Sequence, residues 1–272
     1  MTANNRVVVI EDDPLSRDML LNLLSRDWRT RVAAELDSLS ENRLIKLLNE
    51  ESSQIDTVIV DTEMPRWPDF PIRVFEIITE LENPPKTLFL CTVPKPRFWN
   101  DVLINYDFFG GYLAKHEILY SIATAVSLVE DGYIVVTSAV DQMSAPIHLS
   151  GKKVLLLDGT KNLIGFTPRE IDIIRLGILS NHSHRDIEDE LIISRDWISK
   201  NLSAIYRKLG IQELISDQES IDLHFSHKAI ATRVDKILKH FSPSSNPTNL
   251  RQTPWLATLA FHLLTLPDIR DV

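Results

Sequence analysis

The chain has 272 residues, a formal net charge of −9 and a single cysteine, Cys91. The length suits two ordinary domains, and 44% hydrophobic with 25% charged residues is a globular composition. The acidic balance excludes a protein that coats nucleic acid or anionic membrane over its whole surface, and one cysteine excludes an intrachain disulfide framework and a cysteine-rich zinc site.

In chain order, residues 1–6 are polar, and the apolar run 7–10 meets Glu11-Asp12-Asp13 at once. That is not the form of a secretory signal, and with the lone cysteine it predicts a cytoplasmic protein. Residues 15–25 carry a helical period. Residues 55–60 and 87–90 are short apolar runs, Tyr112-Leu113 closes a fourth, and 73–81 and 116–129 read as helices. Short buried strands alternating with helices predict a doubly wound α/β domain with a parallel sheet.

After Asp131-Gly132 the pattern changes. Residues 133–137 and 153–157 are apolar pieces among turn signals, so 131–164 is expected to be a linker with some strand or hairpin content. From Thr167 the pattern is helical. Thr167-Pro168-Arg169-Glu170 combines a capping threonine, proline at the first helical position and glutamate at the third. Ser183 and Ser194 offer two further starts, and Gly210 a C-terminal stop. In the tail, residues 228–241 and 255–266 are helix candidates on either side of a Ser/Pro loop. The second is too short to span a membrane. Its apolar face, which includes Trp255 and Leu259, packs on its own domain, forms a dimer interface or latches onto the first domain.

The acids at the strand ends carry the chemistry. In a doubly wound sheet the carboxyl ends of the strands share one edge, where ligands bind. Glu11 and Asp12 close the first strand, and Asp61 closes the run 55–60. Converging carboxylates suit a hard divalent cation such as Mg²⁺, which would offset charge while Asp61 attacks a phosphoryl group. Lys115, after the last strand, adds a cation at the same edge. Any one of these acids alone would read as a solvated loop residue; the ordered set is what carries the reading.

This set resembles the receiver domain of response regulators. Val7-Val-Val-Ile-Glu-Asp-Asp-Pro14 is similar to its first strand and acid pair, Glu11 and Asp12, with Asp13 a solvated neighbour. Val58-Ile-Val-Asp-Thr-Glu-Met-Pro65 resembles its phosphorylation segment, and Gly111-Tyr-Leu-Ala-Lys115 the segment of its switch aromatic and lysine. The resemblance implies five parallel strands, Asp61 as phospho-acceptor, Mg²⁺ on Glu11, Asp12, Asp61 and the main-chain carbonyl of Glu63, and Tyr112 and Lys115 as switch aromatic and phosphate partner. It also implies a Thr or Ser switch residue, for which Cys91 and Thr92 both qualify by spacing; Thr92 is the expected one. The segment Arg66-Trp67-Pro68-Asp69 replaces the family's glycine-rich turn.

In the second helical region Ile198, Leu202, Ile205 and Leu209 form one apolar stripe, with Ser199, Lys200, Ser203 and Arg207 broadly opposite. An ordinary amphipathic surface helix has the same pattern. Thr167-Pro-Arg-Glu170, Ile187, Leu191 and Ile205-Tyr-Arg-Lys-Leu-Gly-Ile211 together resemble the LuxR-type helix-turn-helix of NarL/FixJ regulators. That implies a third helix in the DNA major groove, with Arg195, Ser199, Lys200, Ser203, Arg207 and Lys208 as DNA contacts. Ser199 stands where the family commonly has lysine, and Trp197 where it has threonine.

The expected organisation is a receiver at 1–130, a linker at 131–164, an all-α helix-turn-helix at 165–213 and a helical C-terminal extension at 214–272. The implied function is a two-component response regulator and transcription factor. The alternative is a regulator indifferent to phosphate, controlled by protein or ligand contacts. DNA, a sensor histidine kinase and a second copy of the chain are the implied partners, RNA polymerase a further candidate, and membrane none. An aspartyl-nucleophile phosphatase is disfavoured, because the paired acids lie on the first strand and not on that of Asp61; the chain is not expected to be an enzyme.

Overall fold

A computed structural model of the chain describes residues 4–37, 41–51, 55–65, 68–95, 106–142, 153–159, 163, 165–211, 234–237 and 253–272. They fall into two compact units: Met1–Thr160 with Ile269–Val272, and Lys161–Asp268.

The first unit is built on one sheet. Its elements are β1 (Asn5–Ile10), α1 (Pro14–Arg26), β2 (Thr30–Leu36), α2 (Glu41–Glu51), β3 (Thr57–Asp61), α3 (Phe70–Thr79), β4 (Lys86–Cys91), β5 (Phe109–Ala114), α4 (Lys115–Ile118), α5 (Ile122–Glu130), β6 (Ile134–Thr137), α6 (Ser138–Asp141), β7 (Val154–Asp158) and, from the chain's end, β8 (Asp268–Asp271). The strand order is β2-β1-β3-β4-β5-β6-β7-β8, and β1 to β7 pair in parallel. The central strands are buried on both faces, so they read as unbroken apolar runs: Val7, Val8 and Val9 are fully buried, as are Val58, Ile59 and Val60. The first five strands have the doubly wound order, and the connection reverses between β1 and β3. That crevice is where ligands bind in such sheets.

Three strands lie beyond the expected five. The segment expected as a linker with some strand content, 131–164, holds the strands β6 and β7 with α6 between them, within the first unit up to Thr160, and β6 pairs with β5 through Gly111–Val135 and Tyr112–Val136. Gly111 permits this. Its φ is +149°, and a Cβ there would stand 2.0 Å from the Val135 carbonyl oxygen, so only glycine allows so close an approach. The extension expected to be helical ends in a strand, β8, on the β7 edge, where the Val272 N–H donates to the Val154 carbonyl.

The second unit is helical among its described residues: α7 (Pro168–Ile173) continued by a π-helical segment (Ile174–Leu179), α8 (His184–Leu191), α9 (Arg195–Lys208) and α10 (Thr253–Leu264). The three expected starts are present. Thr167 and Ser183 each form a full capping box, and Ser194 accepts the Trp197 N–H. Gly210 adopts φ +68° after α9, the left-handed stop that glycine supplies. Helix α10 packs on the π-helical segment of its own unit, burying Leu259, Ala260, Phe261 and Leu264; the Trp255 side chain lies outside the described residues, as does most of the 228–241 candidate.

Candidate functional site

The carboxyl edge of β1 and β3 opens into a cleft of about 670 Å³ whose lining includes Glu11, Asp12, Asp61, Glu63, Thr92 and Lys115. Glu11 and Asp61 are 0% and 2% exposed. Ligand oxygens of Glu11, Asp12 and Asp61 all lie within 4.8 Å of one another. Lys115, at the end of β5, reaches back over them: its Nζ is 2.7 Å from Glu11 Oε2 and 3.1 Å from Asp61 Oδ1. One ammonium thus faces a cluster of three acids. Burial, and then the neighbouring Asp61 charge, push the Glu11 carboxyl up to about 7 and raise Asp12 as well. Burial works against the Lys115 ammonium, but Asp61 and Glu11 together outweigh it and hold its pKa above the ordinary value. Excess negative charge held in partly dry surroundings, with only oxygen donors, fits a hard divalent cation.

Asp13 is more than a solvated neighbour. It caps α1, its Oδ2 accepting the Ser16 N–H at 2.7 Å, and the Ser16 bonds hold its carboxyl below the usual range. The sequence signal for this is an acid immediately before proline. The resemblance assigns Glu63 a part through its main-chain carbonyl. Its side chain does something different: the two carboxylate oxygens accept the N–H groups of Thr92 and Val93, each at 3.1 Å. Burial raises the Glu63 carboxyl, and the bonds from Thr92 and Val93 overcome this and lower it.

The two candidates for the switch position are separated by the end of β4. Cys91 is the last strand residue, opposite Ala114; it is fully buried and donates to the Leu113 carbonyl at 3.5 Å. Burial pushes its thiol up to about 12, so it is an inert core group. Thr92 lies one residue on, exposed and lining the cleft. Tyr112 is fully buried. Its hydroxyl accepts the Lys95 N–H at 2.9 Å. Of the segment beside the acceptor, Arg66 and Trp67 lie outside the described residues.

In the second unit Ile198, Leu202 and Ile205 of α9 are buried and Ser199, Lys200, Ser203 and Arg207 are exposed. Burying each apolar side chain contributes roughly 1.5–3 kcal/mol, which fixes the polar face outward. Trp197, 36% exposed, joins that outward side. Ser203 Oγ donates to the Ser199 carbonyl at 3.0 Å. Arg195 is drawn to α8, its Nε 3.6 Å from Glu188 Oε2. Lys208, expected among the DNA contacts, is also held within its own unit. Its Nζ bonds Glu170 Oε2 at 2.7 Å and the Gly165 carbonyl at 3.1 Å, and it stands over the Phe166 ring. It ties α9 to α7.

The chain thus combines a 2-1-3-4-5 parallel core, an acid triad and a lysine at its switch point, and a capped three-helix unit with an outward polar α9. No family model matches the chain. It is similar to the Fimbriae Z protein of Salmonella typhimurium, 23% identical over 224 residues that cover 82% of this chain and 98% of that protein. The Fimbriae Z protein of Escherichia coli K12 is 22% identical over 209 residues, 77% of this chain and 92% of the relative. Among solved structures, the response regulator RcsB of Salmonella typhimurium, described for its DNA interaction, is 19% identical with a TM-score of 0.40, covering 76% of this chain and 92% of that one. Among the described residues, no helix is long and apolar enough to cross a membrane.

Proposed function

We propose that the chain is a cytoplasmic transcription regulator that accepts a phosphoryl group on Asp61 and thereby controls DNA binding by α9. The observation that carries this is the placement of Asp61, Glu11, Asp12 and Lys115 in one cleft at the switch point of the sheet. Glu11, Asp12 and Asp61, with the Glu63 carbonyl, would hold Mg²⁺, which supplies charge neutralisation. An Asp61 carboxylate oxygen attacks the phosphorus of a phosphohistidine on a sensor kinase. The P–N bond breaks, an acyl phosphate forms, and the imidazole leaves. Lys115, already within 3.1 Å of Asp61, then pairs with the new phosphoryl oxygens.

On DNA, the exposed Arg207 supplies a phosphate contact, and Ser199, Lys200 and Ser203 are the groove-facing groups. Two copies bind together, RNA polymerase is a further partner, and the chain is a switch and not an enzyme acting on a small substrate. A second reading, DNA binding indifferent to phosphate, is favoured by one observation: the buried end of β4 carries the Cys91 thiol, a weak donor, where a hydroxyl would couple the cleft to Tyr112. Genome-wide mapping of bound DNA with wild type and Asp61→Asn separates the two. Occupancy that collapses in Asp61→Asn supports the phosphate switch, and identical maps support the second reading.

A further inference from the structure

Strands β6 and β7 do more than lengthen the sheet: they hold both flanks of Lys115. The β5–β6 ladder pairs Gly111 with Val135 and Tyr112 with Val136. Two residues further along β5 the buried Ala114 N–H needs a partner, and the fully buried Thr137 hydroxyl accepts it at 2.8 Å. Lys115 is the next residue. On its other side, Glu117 is fixed twice. Its Oε2 accepts the Ala139 N–H at 2.9 Å at the start of α6, and its carbonyl accepts the Gly159 N–H at 2.7 Å just after β7. Gly159 must be glycine for this approach, since a Cβ would stand 2.8 Å from the Glu117 oxygen and 3.0 Å from Ser121 Oγ.

We propose that Thr137, Glu117 and Gly159 are positioning residues: through them β6 and β7 brace the Lys115 backbone so that its ammonium is held over Glu11 and Asp61. The inference rests on the Asp61 cleft being the working site. The physical reason is preorganisation. A four-carbon side chain on a mobile loop visits many rotamers, and holding its backbone on both sides reduces what must be ordered when charge develops at Asp61. The brace also makes the Lys115 segment continuous by hydrogen bonds with residue 159, at the end of the first unit.

The test uses the full-length chain and reads Lys115 directly. Trace acetylation with acetic anhydride, quantified by mass spectrometry at each lysine, measures how strongly the two carboxylates hold this amine. Thr137→Val removes only the acceptor hydroxyl, Glu117→Ala the tie to α6, and Gly159→Ala opens the tie to β7. Each is expected to raise Lys115 acetylation by about threefold, because a loosened backbone lets the amine leave the two carboxylates for solvent more often, with other lysines unchanged, and to slow Asp61 labelling by acetyl phosphate with Mg²⁺. Thr137→Ser is expected to restore both. If Thr137→Val loses its melting transition, Glu117→Ala, altered at a half-buried position, decides. Lys115 acetylation equal to wild type in a folded variant overturns the brace. A wild-type chain that acetyl phosphate does not label overturns the phospho-acceptor reading instead, while the acetylation pattern still decides the brace.

Discussion

Lys115 Nζ lies 3.1 Å from Asp61 Oδ1 while bonding Glu11 Oε2 at 2.7 Å, so one cation, 19% exposed, offsets two buried acids. Removing it leaves them unpaired. Lys115→Met is expected to destabilise the first unit by roughly 3 kcal/mol at pH 7.5, and by less at pH 5.5, where Glu11 takes up a proton. Denaturant melts at the two pH values check this; equal losses at both would contradict it.

Because burial and Asp61 raise Glu11 from 4.5 to about 7, the folded state binds a proton there that the unfolded chain releases. Its contribution to stability is present below about pH 4.5 and is lost as pH rises towards 7. Magnesium should reverse that loss. At ten times its Kd the cation adds about 1.4 kcal/mol, and the gain should be larger at pH 7.5 than at pH 5.5. Thermal melts with and without Mg²⁺ measure it, and Glu11→Gln should remove most of the difference.

On α9 the cations divide into two kinds. Lys200→Ala and Arg207→Ala should each flatten the plot of log affinity against log salt by about one unit. Lys208→Ala should leave the slope unchanged, because its ammonium is spent on Glu170 and Gly165. Titrating DNA by anisotropy at several salt concentrations decides, and a slope change for Lys208→Ala as large as for Lys200→Ala would place it back among the DNA contacts.

Ile192 closes α8 at φ +53° with its side chain 89% exposed. A β-branched residue is strained there and buries little in return. Ile192→Gly should therefore stabilise the second unit by about 1 kcal/mol, read as a higher denaturant midpoint with an unchanged slope.

Much of the fold and the cleft is legible locally. Val7 to Ile10 followed by acids, Asp61 after its own apolar run, and Lys115 after Tyr112-Leu113 each sit on a strand whose burial forces an apolar sequence. The helix starts are legible because capping is chemistry within four residues. What escapes a sequence reading is either weakly patterned or distant. Strand β2 carries Arg31 and Glu35 and has only its end residues buried, so it shows no apolar run. Strands β6 and β7 are short apolar pieces among turn signals, the same composition as a linker with hairpin content; their docking depends on Gly111, whose role appears only when Val135 arrives. Strand β8, Asp-Ile-Arg-Asp, has the charge expected of a protected sheet edge and not of a core strand. Lys208 shares a local pattern with Arg207, but its partners Glu170 and Gly165 are 38 and 43 positions away. Cys91 and Thr92 differ by one residue, and one residue inverts which side of the strand end faces the cleft.

The central claim is that Asp61 accepts phosphate in a metal-dependent reaction, and incubation with acetyl phosphate followed by intact-mass and peptide analysis tests it most directly. The expected result is a single added phosphoryl group on Asp61 that appears with Mg²⁺, disappears with chelator and is absent from Asp61→Asn. Labelling that persists in Asp61→Asn, or a wild-type chain that takes up no phosphate in the presence of Mg²⁺, would contradict it.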